Sequence, residues 1–203
     1  MIGIINYDLG NLGSVKNALN KIDEPFLQIN NIDDFESVKK LILPGVGSFS
    51  EGIKNIKRKG FDKLIIDNVI NLKKPILGIC LGMQLLAFKG FEDGQNNGLN
   101  LIGGQVNLLK KKSGFSLPHI GWNNILVIKK NKLMNDIPQG VDFYFVHSYH
   151  FLAEKKENIL AFTEYSEKIN AIVSNRNIYG IQAHPEKSQL NGLKLLKNFC
   201  RFC

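Results

Sequence analysis

The chain has 203 residues, 44% of them apolar, which is enough for one domain with a well-developed core. The chain has 26 lysine and arginine residues and 18 aspartate and glutamate residues, which gives a net charge of +8. The lysines are scattered and no aromatic residues are interleaved with them, which is typical of a solvated surface and argues against nucleic-acid binding. The odd count of 3 cysteines argues against a disulfide framework and is typical of a protein kept in a reducing compartment.

The first half of the chain alternates short apolar runs with segments of helical periodicity. Residues 2–6 predict a first strand, which is far too short to cross a bilayer and has no basic segment before it, so we expect a cytoplasmic protein that does not contact a membrane. Apolar residues at helical spacing predict a helix over residues 11–22. Further elements are predicted in this order: strands at 26–29 and 41–43, helical periodicity over 52–71 with a break at Gly60, and a strand that leads into Cys80.

The second half of the chain adds strands of a different kind. Alternation of apolar and polar residues at 105–109 is followed by strand-like runs at 124–128, 143–146, 159–162, 171–174 and 178–181, and by a closing helix over 189–202. No linker, repeat or low-complexity segment divides the chain, so we expect residues 1–203 to form a single domain. The pattern predicts a three-layer α/β/α fold, whose mainly parallel central sheet is covered by helices on both faces and extended by antiparallel strands. Ligands of such sheets bind at the carboxyl ends of the strands.

One segment, Gly78-Ile79-Cys80-Leu81-Gly82, has the composition of a nucleophile elbow. An apolar run precedes it and the helix-like residues 85–88 follow it, so Cys80 lies where a buried strand turns sharply into a helix. Glycines two residues before and after the cysteine leave room for the tight turn. The dipole and the unpaired N–H groups of the first helical turn favour a thiolate and an oxyanion. The alternative is an ordinary buried cysteine of the core.

A second segment, residues 180–186, supplies the groups that a thiol nucleophile needs. A histidine serves such a nucleophile as proton shuttle, and a carboxylate orients the histidine. Pro185 restricts His184 to an extended backbone, in which His184 and Glu186 project to the same side. The sequence therefore offers Cys80, His184 and Glu186 as a catalytic triad, with an ordinary turn as the alternative for the His-Pro-Glu segment.

Together with the loop Pro44-Gly45-Val46-Gly47, these two segments resemble the class I glutamine amidotransferases, in which a glycine-rich loop, a cysteine elbow and a late His-x-Glu occur in this order. More narrowly, the chain is similar to the glutaminase subunits of imidazole glycerol phosphate synthase. The resemblance covers nearly the whole chain and rests on six segments in the same order: residues 10–15, the Pro-Gly-Val-Gly loop, residues 78–86, residues 118–123, residues 144–149, and residues 184–189 followed by Gly192-Leu193.

The resemblance implies a role for each residue of the site. Cys80 is expected to attack the side-chain amide of L-glutamine, forming a glutamyl thioester and releasing ammonia, while His184 acts as general base and then acid and Glu186 orients it. The implied oxyanion donors are the backbone N–H groups of Leu81 and Val46, and the implied glutamine-binding residues are Gly45, Gly47, Gln84, Ser148 and Tyr149. Neither a metal nor an organic cofactor is expected, since His147 and His150 are two histidines without a third ligand.

The same resemblance implies a partner. Ammonia in neutral water is mostly protonated, so a shielded route must carry it to a second active site. In this family that site belongs to a (βα)8-barrel synthase, which forms a heterodimer with the glutaminase and makes imidazole glycerol phosphate and AICAR in histidine biosynthesis. The implied docking residues are Asn11, Trp122 and Asn123, since tryptophan is enriched in interface hot spots. A core position for Trp122 is the alternative, and a positive face for an acidic partner is the minority interpretation of the lysine surplus.

Two positions depart from the family pattern near the active-site edge. Asn6-Tyr7-Asp8 stands where Asp-Tyr-Gly is usual, and Ala183 stands where a bulky aromatic residue is common. These departures leave open a paralogous subunit that supplies ammonia for amidino groups on a bacterial surface sugar. A catalytically silent regulatory subunit on the same fold is a further alternative. Cys200 and Cys203 form a C-x-x-C without a second pair, and we interpret them as the frayed end of the last helix.

Overall fold

The computed structural model describes all residues, 1–203. The strands are, in chain order, β1 (Ile2–Ile5), β2 (Phe26–Ile29), β3 (Lys40–Leu43), β4 (Ile76–Ile79), β5 (Lys89–Gly90), β6 (Asn96–Asn97), β7 (Gly104–Leu108), β8 (His119–Asn124), β9 (Leu126–Val127), β10 (Asp142–His147), β11 (Tyr149–Ala153), β12 (Ile159–Glu164), β13 (Lys168–Asn175) and β14 (Ile178–Ile181). The α-helices are α1 (Leu12–Lys21), α2 (Phe49–Arg58), α3 (Phe61–Ile70), α4 (Leu81–Leu85) and α5 (Gln189–Phe202). None of these helices combines the length and the apolar character that a membrane span requires.

An eight-stranded sheet forms the centre of the fold, in the order β2-β1-β3-β4-β14-β13-β12-β9. The first five strands of this order pair in parallel, and the last three are added antiparallel. Every residue of β1, β4 and β14 is buried, because helices cover both faces of the parallel half. The predicted fold class is confirmed. Since β4 and β14 are parallel neighbours with Ile79 opposite Ile181, the residues that follow these two strands lie side by side at one edge.

Two layers of helices enclose the sheet, each with its own apolar cluster. Helices α2 and α3 contribute Ile56 and Phe61 to the cluster on one face. Helices α1 and α5 contribute Leu19 and Phe199 to the cluster on the other face. Successive residues of β3 divide between the two clusters, as expected when side chains alternate along a strand. With both faces covered, the strand ends and their loops are the part of the parallel sheet that a ligand can reach.

Two smaller sheets are built from the chain between β4 and β12. Strands β8 and β10 pair antiparallel, and β11, β7, β5 and β6 form a four-stranded sheet in that order. The single strand predicted over residues 124–128 is divided between two sheets. Strand β8 begins earlier, at His119, and ends at Asn124, whereas Leu126 and Val127 form β9 of the central sheet. Between them, Ile125 turns into the core and has no exposed surface. Strand β11 lies in a part of the chain for which no element was predicted.

The elements around the elbow differ slightly from their predicted bounds. Helix α2 begins at Phe49, before residue 52, because the hydroxyl of Ser48 accepts the N–H of Glu51 and caps the helix. The helix after Cys80 ends at Leu85 and does not extend to residue 88. It stops because the carbonyls of Leu85 and Leu86 accept hydrogen bonds from the N–H groups of residues 99, 101 and 102.

Candidate active site

Cys80 lies at a sharp turn between β4 and α4. Its backbone has φ 52° and ψ −110°, a conformation that is costly for a residue with a side chain. The flanking glycines make the turn possible. A Cβ on Gly78 would lie 2.6 Å from the carbonyl oxygen of Gly82, and a Cβ on Gly82 would lie 1.7 Å from the carbonyl oxygen of Leu43. The predicted elbow is therefore present, and it presents Cys80 to a cleft at the edge of the sheet.

His184 and Glu186 follow the neighbouring strand, β14. The N–H of Cys80 donates to the carbonyl of Ile181 at 2.8 Å, so this segment runs alongside the elbow. His184 is extended, as Pro185 predicts, but Pro185–Lys187 form a 3-10 turn, whereas an extended chain was expected. The turn brings Oε1 of Glu186 to 2.7 Å from Nδ1 of His184, and neither side chain is more than 2% exposed. The histidine and the carboxylate thus meet through a turn and not through an extended strand.

The imidazole of His184 interacts with two acidic groups. Burial opposes its protonation, but the Cys80 thiol and the Glu186 carboxylate outweigh burial and raise the pKa of His184 to about 10. Since Glu186 occupies Nδ1, the nitrogen left to face Cys80 is Nε2, which is buried and hydrogen-bonded to no protein group. The raised pKa keeps the imidazole of His184 protonated at neutral pH, as a proton donor at this site requires.

The cleft in front of Cys80 has a volume of about 500 Å³, a size that suits a small-molecule ligand. Six of the residues singled out in the sequence line it together with Cys80: Val46, Gly47, Leu81, Gln84, Ser148 and Tyr149. Gly45 lies behind this wall and does not line it. A Cβ on Gly45 would come within 2.2 Å of the Tyr7 hydroxyl and 3.0 Å of the N atom of Gly82, so its absence lets the loop pack against the elbow.

Gln84 holds one wall of the cleft in place. Its side chain is 4% exposed, and Nε2 donates to the carbonyl of Tyr149 at 2.8 Å and to Oε1 of Gln182 at 3.2 Å. Its Oε1 accepts no hydrogen bond from the protein and remains free for a ligand. Gln84 therefore ties the elbow helix to the two segments on either side of it.

Several backbone N–H groups at the cleft have no protein acceptor. Val46 and Gly47 donate no hydrogen bond within the protein, and both line the cleft. Leu81 is the first residue of α4, where an N–H has no partner within the helix. Free N–H groups of this kind are what the binding of an oxyanion requires.

Sequence reasoning missed three residues next to the sulfur and in the cleft. The carbonyl of Val146 lies 3.8 Å from Sγ of Cys80, and Nε2 of Gln182 lies 3.7 Å from it. Glu92 is the one acidic residue in the cleft wall, where burial raises its pKa. In the sequence, Glu92-Asp93 looks like an ordinary surface turn. The one signal that could have indicated a position near the active site was its place shortly after the elbow.

Comparison with known proteins decides the family. The family described as "Glutamine amidotransferase class-I" matches residues 4–202. The chain belongs to the class I glutamine amidotransferases. It is 44% identical over 201 residues to imidazole glycerol phosphate synthase subunit HisH 2 of Methanococcus maripaludis, with 99% of each chain covered. It is also 44% identical over 201 residues to subunit HisH 1 of Campylobacter jejuni, with 99% of this chain and 100% of that one covered. The structure of PurLQS from Thermotoga maritima, 20% identical, has the same fold, with a TM-score of 0.69 over 99% of this chain and 97% of that chain.

One departure from the amidotransferase pattern has a local explanation. Asp8 stands where the family usually has glycine, and it adopts φ 65°, the left-handed region that glycine favours and aspartate tolerates. Its carboxylate lies 2.7 Å from Nζ of Lys59 and 3.0 Å from Arg58. The hydrogen bond from Lys59, together with Arg58, holds the pKa of Asp8 below its usual value. The backbone therefore keeps a glycine-like conformation without glycine. Ala183, the other departure, is fully buried.

The outer face of the β8–β10 pair consists of Ile120, Trp122, Tyr144 and Val146, and we call it the docking face because Trp122 was expected to contact a partner. Ile120 and Trp122 are 58% and 48% exposed, so Trp122 is not a core residue. Val146 pairs with Ile120 and Tyr144 with Trp122 across the two strands. Because Val146 also lines the cleft, the docking face continues to the site of Cys80.

The other two residues expected at a partner interface lie elsewhere. Asn123 points to the opposite side of β8 from Trp122, where its Nδ2 donates to the carbonyl of Glu164 at 2.9 Å. Asn11 caps α1, since its side-chain oxygen accepts the N–H of Ser14 at 3.2 Å. Neither residue extends the docking face.

Proposed function

We propose that this protein is the glutaminase subunit of an imidazole glycerol phosphate synthase. It hydrolyses L-glutamine to L-glutamate and passes the ammonia to a (βα)8-barrel partner, which makes imidazole glycerol phosphate and AICAR in histidine biosynthesis. The observation that carries the proposal is a cysteine at positive φ beside a buried histidine–glutamate pair. Relatives at 44% identity that are named as this subunit support the choice within the family. We further propose that residues 1–203 act as one amidotransferase domain.

The first half of the reaction forms a thioester. The thiolate of Cys80 attacks the side-chain carbonyl carbon of glutamine, a C–S bond forms, and the carbonyl π electrons move to oxygen. The N–H groups of Leu81 and Val46 bind this oxyanion, and removal of one such donor costs roughly 2.7 to 4 kcal/mol in the transition state. His184 then gives its proton to the amide nitrogen, the C–N bond breaks, and ammonia leaves.

The second half of the reaction releases glutamate. Neutral His184 takes a proton from water while the water oxygen attacks the thioester carbonyl. The tetrahedral intermediate breaks its C–S bond, and the sulfur leaves as a thiolate. Glutamic acid departs and loses its proton to solvent, so Cys80 and His184 return to the thiolate–imidazolium pair. Glu186 keeps Nε2 of the imidazole directed at the reacting atoms throughout.

Glutamine has to be recognised as an α-amino acid and not as any amide. We assign the free N–H of Gly47 and the backbone of Ser148 and Tyr149 to its polar groups, with Gly45 allowing the loop to approach and Oε1 of Gln84 free as an acceptor. We assign Glu92 to the α-ammonium group, because a carboxylate is the natural partner of an ammonium ion and no other lines the cleft.

The route of ammonia follows from the docking face. Cys80 Sγ and the carbonyl of Val146 are 3.8 Å apart, and the side chain of Val146 belongs to the docking face. A partner seated there would cover the exit nearest to the sulfur. Exposed Trp122 is the anchor we propose for this contact, since large aromatic side chains dominate interface energetics.

Two experiments test the proposal. A diazoketone analogue of glutamine should alkylate Cys80 of the full chain, with the partner present, and peptide mapping by mass spectrometry should locate the adduct. Cys80→Ser should abolish labelling, and Cys200→Ser is the matched control, because burial raises the pKa of Cys200 to about 12 and keeps it unreactive. Failure of Cys80 to react would favour the silent regulatory subunit.

The second experiment identifies the partner. Purified barrel synthases are supplied with amide-15N glutamine and this protein, and the products are analysed for the label. We expect 15N in imidazole glycerol phosphate. Label that appears only with a barrel of a sugar-modifying pathway would instead identify the paralogous subunit.

A further inference from the structure

A series of hydrogen bonds runs behind the cleft wall through two buried histidines. His119 of β8 and His147 of β10 lie opposite each other, with Nδ1 of His119 3.0 Å from Nε2 of His147. At one end, Nδ2 of Asn123 lies 3.3 Å from Nε2 of His119. At the other end, Nδ1 of His147 lies 2.9 Å from the carbonyl oxygen of Tyr149. Three contacts in series therefore join β8 to the cleft in which we place glutamine.

The two ends of this series fix the position of every proton in it. The carbonyl of Tyr149 can only accept, so Nδ1 of His147 carries a proton and, in a neutral ring, Nε2 is an acceptor. The amide nitrogen of Asn123 can only donate, and its second bond, to the carbonyl of Glu164 at 2.9 Å, fixes the orientation of the amide. Nε2 of His119 is therefore an acceptor and its proton lies on Nδ1. One arrangement satisfies all three contacts, with both rings neutral and both protonated on Nδ1.

The surroundings keep both rings neutral. His119 stacks between Phe145 and Tyr165, with ring centroids 4.9 Å and 4.0 Å away. Burial lowers the pKa of His119 to about 4 and that of His147 to about 3. A proton on His119, His150 or His184 would lower the pKa of His147 further, and the hydrogen bond to Tyr149 opposes these effects without reversing the shift. A charged ring at either position is therefore disfavoured at neutral pH.

We propose that Asn123, His119 and His147 are positioning residues, which hold the backbone of Tyr149 in place for glutamine through this one-way series of hydrogen bonds. The carbonyl of Tyr149 is held from two sides, since Gln84 also donates to it at 2.8 Å. Although His147 lines the cleft, both of its nitrogens are engaged, so it has none with which to take a proton from water. The lack of a free ring nitrogen distinguishes His147 from His184. The effect on kinetics rests on the proposed glutaminase function, whereas the proton positions do not.

The first test reads the protons directly. The protein has 4 histidines, so long-range 1H–15N correlation spectra of the 15N-labelled full chain can resolve every ring. At pH 7, His119 and His147 should both show a neutral ring protonated on Nδ1, the less common tautomer in water. A ring protonated on Nε2, or a charged ring, at either position would overturn the proposal. The measurement uses the unmodified protein, so no variant has to fold.

The second test separates the two contacts of His147 by glutaminase kinetics with the partner present. Asparagine at this position carries its amide nitrogen where Nδ1 lies and retains the donor to Tyr149, whereas glutamine reaches the position of Nε2 and keeps only the contact with His119. His147→Gln should raise KM for glutamine by about tenfold, which corresponds to about 1.4 kcal/mol or one hydrogen bond. His147→Asn should raise KM clearly less. Equal KM values in the two variants, or changes confined to kcat, would contradict the proposal.

The third test acts at the far end of the series, away from the cleft. Asn123→Asp replaces a donor by an acceptor, so the proton of the neutral His119 ring should move from Nδ1 to Nε2. His119 then no longer donates to His147. The spectrum of His119 should therefore change, and KM for glutamine should rise. Asn20→Asp makes the same change of charge on an exposed asparagine of α1, away from the docking face, and should alter neither. An unchanged spectrum and KM in Asn123→Asp would refute the series. If the unmodified protein does not hydrolyse glutamine, the proposed function fails, and the spectra still decide the proton positions.

Discussion

Replacing Gly82 by alanine tests whether the elbow has the geometry described. A Cβ at this position would lie 1.7 Å from the carbonyl oxygen of Leu43, whereas real Cβ atoms essentially never approach closer than 3.0 Å, so the two backbones would have to separate by about 1.3 Å. The obstacle is backbone and not a side chain that can rotate away. Leu43 directly precedes the Pro44–Gly47 loop, so the same displacement moves the nucleophile and one oxyanion donor apart.

The expected size of the effect follows from this displacement. Overpacking of this kind costs typically about 1–3 kcal/mol of stability, and for a chain of this length each kcal/mol lowers Tm by roughly 2–4 °C. A misplacement of about 1 Å at the reacting atoms can reduce turnover by roughly 100-fold. We therefore expect Gly82→Ala to fold with a lower Tm and to lose glutaminase activity by about two orders of magnitude.

Scanning calorimetry and a coupled glutamate assay measure the two effects. Gly13→Ala is the matched control, because Gly13 lies in α1, where the nearest contact of a Cβ would be 3.8 Å away. Alanine there should stabilise the protein by about 0.5–1 kcal/mol and leave turnover unchanged. Wild-type activity in Gly82→Ala would refute the account of the elbow.

Three further predictions concern charge. Glu186→Gln keeps an acceptor for His184 but removes the charge that helps to raise the pKa of His184. The basic limb of the pH profile of kcat/KM should therefore move to lower pH by roughly one to three units. An unmoved limb would contradict the pairing of Glu186 with His184. Glu92→Gln should raise KM for glutamine about tenfold with little change in kcat, whereas Asp93→Asn, outside the cleft, should not. Because burial lowers the pKa of His119 to about 4 and of His147 to about 3, below pH 6.5 the unfolded chain binds more protons than the folded chain. As the pH is lowered from about 6.5 to 4, the free energy of unfolding should therefore fall by roughly 1.4 kcal/mol per pH unit per histidine. Urea unfolding at a series of pH values should show a shallower dependence on pH for His147→Asn than for the unmodified protein. An equal dependence would exclude the explanation.

The parts of the fold that could be predicted are those with strong local patterns. Helix α5 has the predicted bounds because its apolar stripe is regular from Gln189 to Phe202. The elbow could be predicted because Gly78 and Gly82 meet a backbone requirement that no larger residue satisfies. His184 and Glu186 could be placed together because they are two residues apart, although the turn that joins them differs from the extended chain that was expected.

The parts that could not be predicted depend on contacts between distant segments. His119 and His147 meet only through the antiparallel register of β8 and β10, and they lie 28 positions apart in the chain. The early end of α4 is set by residues 99, 101 and 102, whose N–H groups donate to the carbonyls of Leu85 and Leu86. Glu92 reaches the cleft through a turn whose sequence is typical of any polar surface. In each case the determining partner is far along the chain, where local propensity carries no information.

The thioester itself is the most direct test of the account. The full chain with its partner is mixed with glutamine, quenched in acid within milliseconds, and mapped by mass spectrometry. A glutamyl adduct should form on Cys80 and decay at a rate consistent with turnover, and it should be absent in Cys80→Ser. Turnover of glutamine without a covalent adduct on Cys80, or with the adduct on another residue, would contradict the central claim.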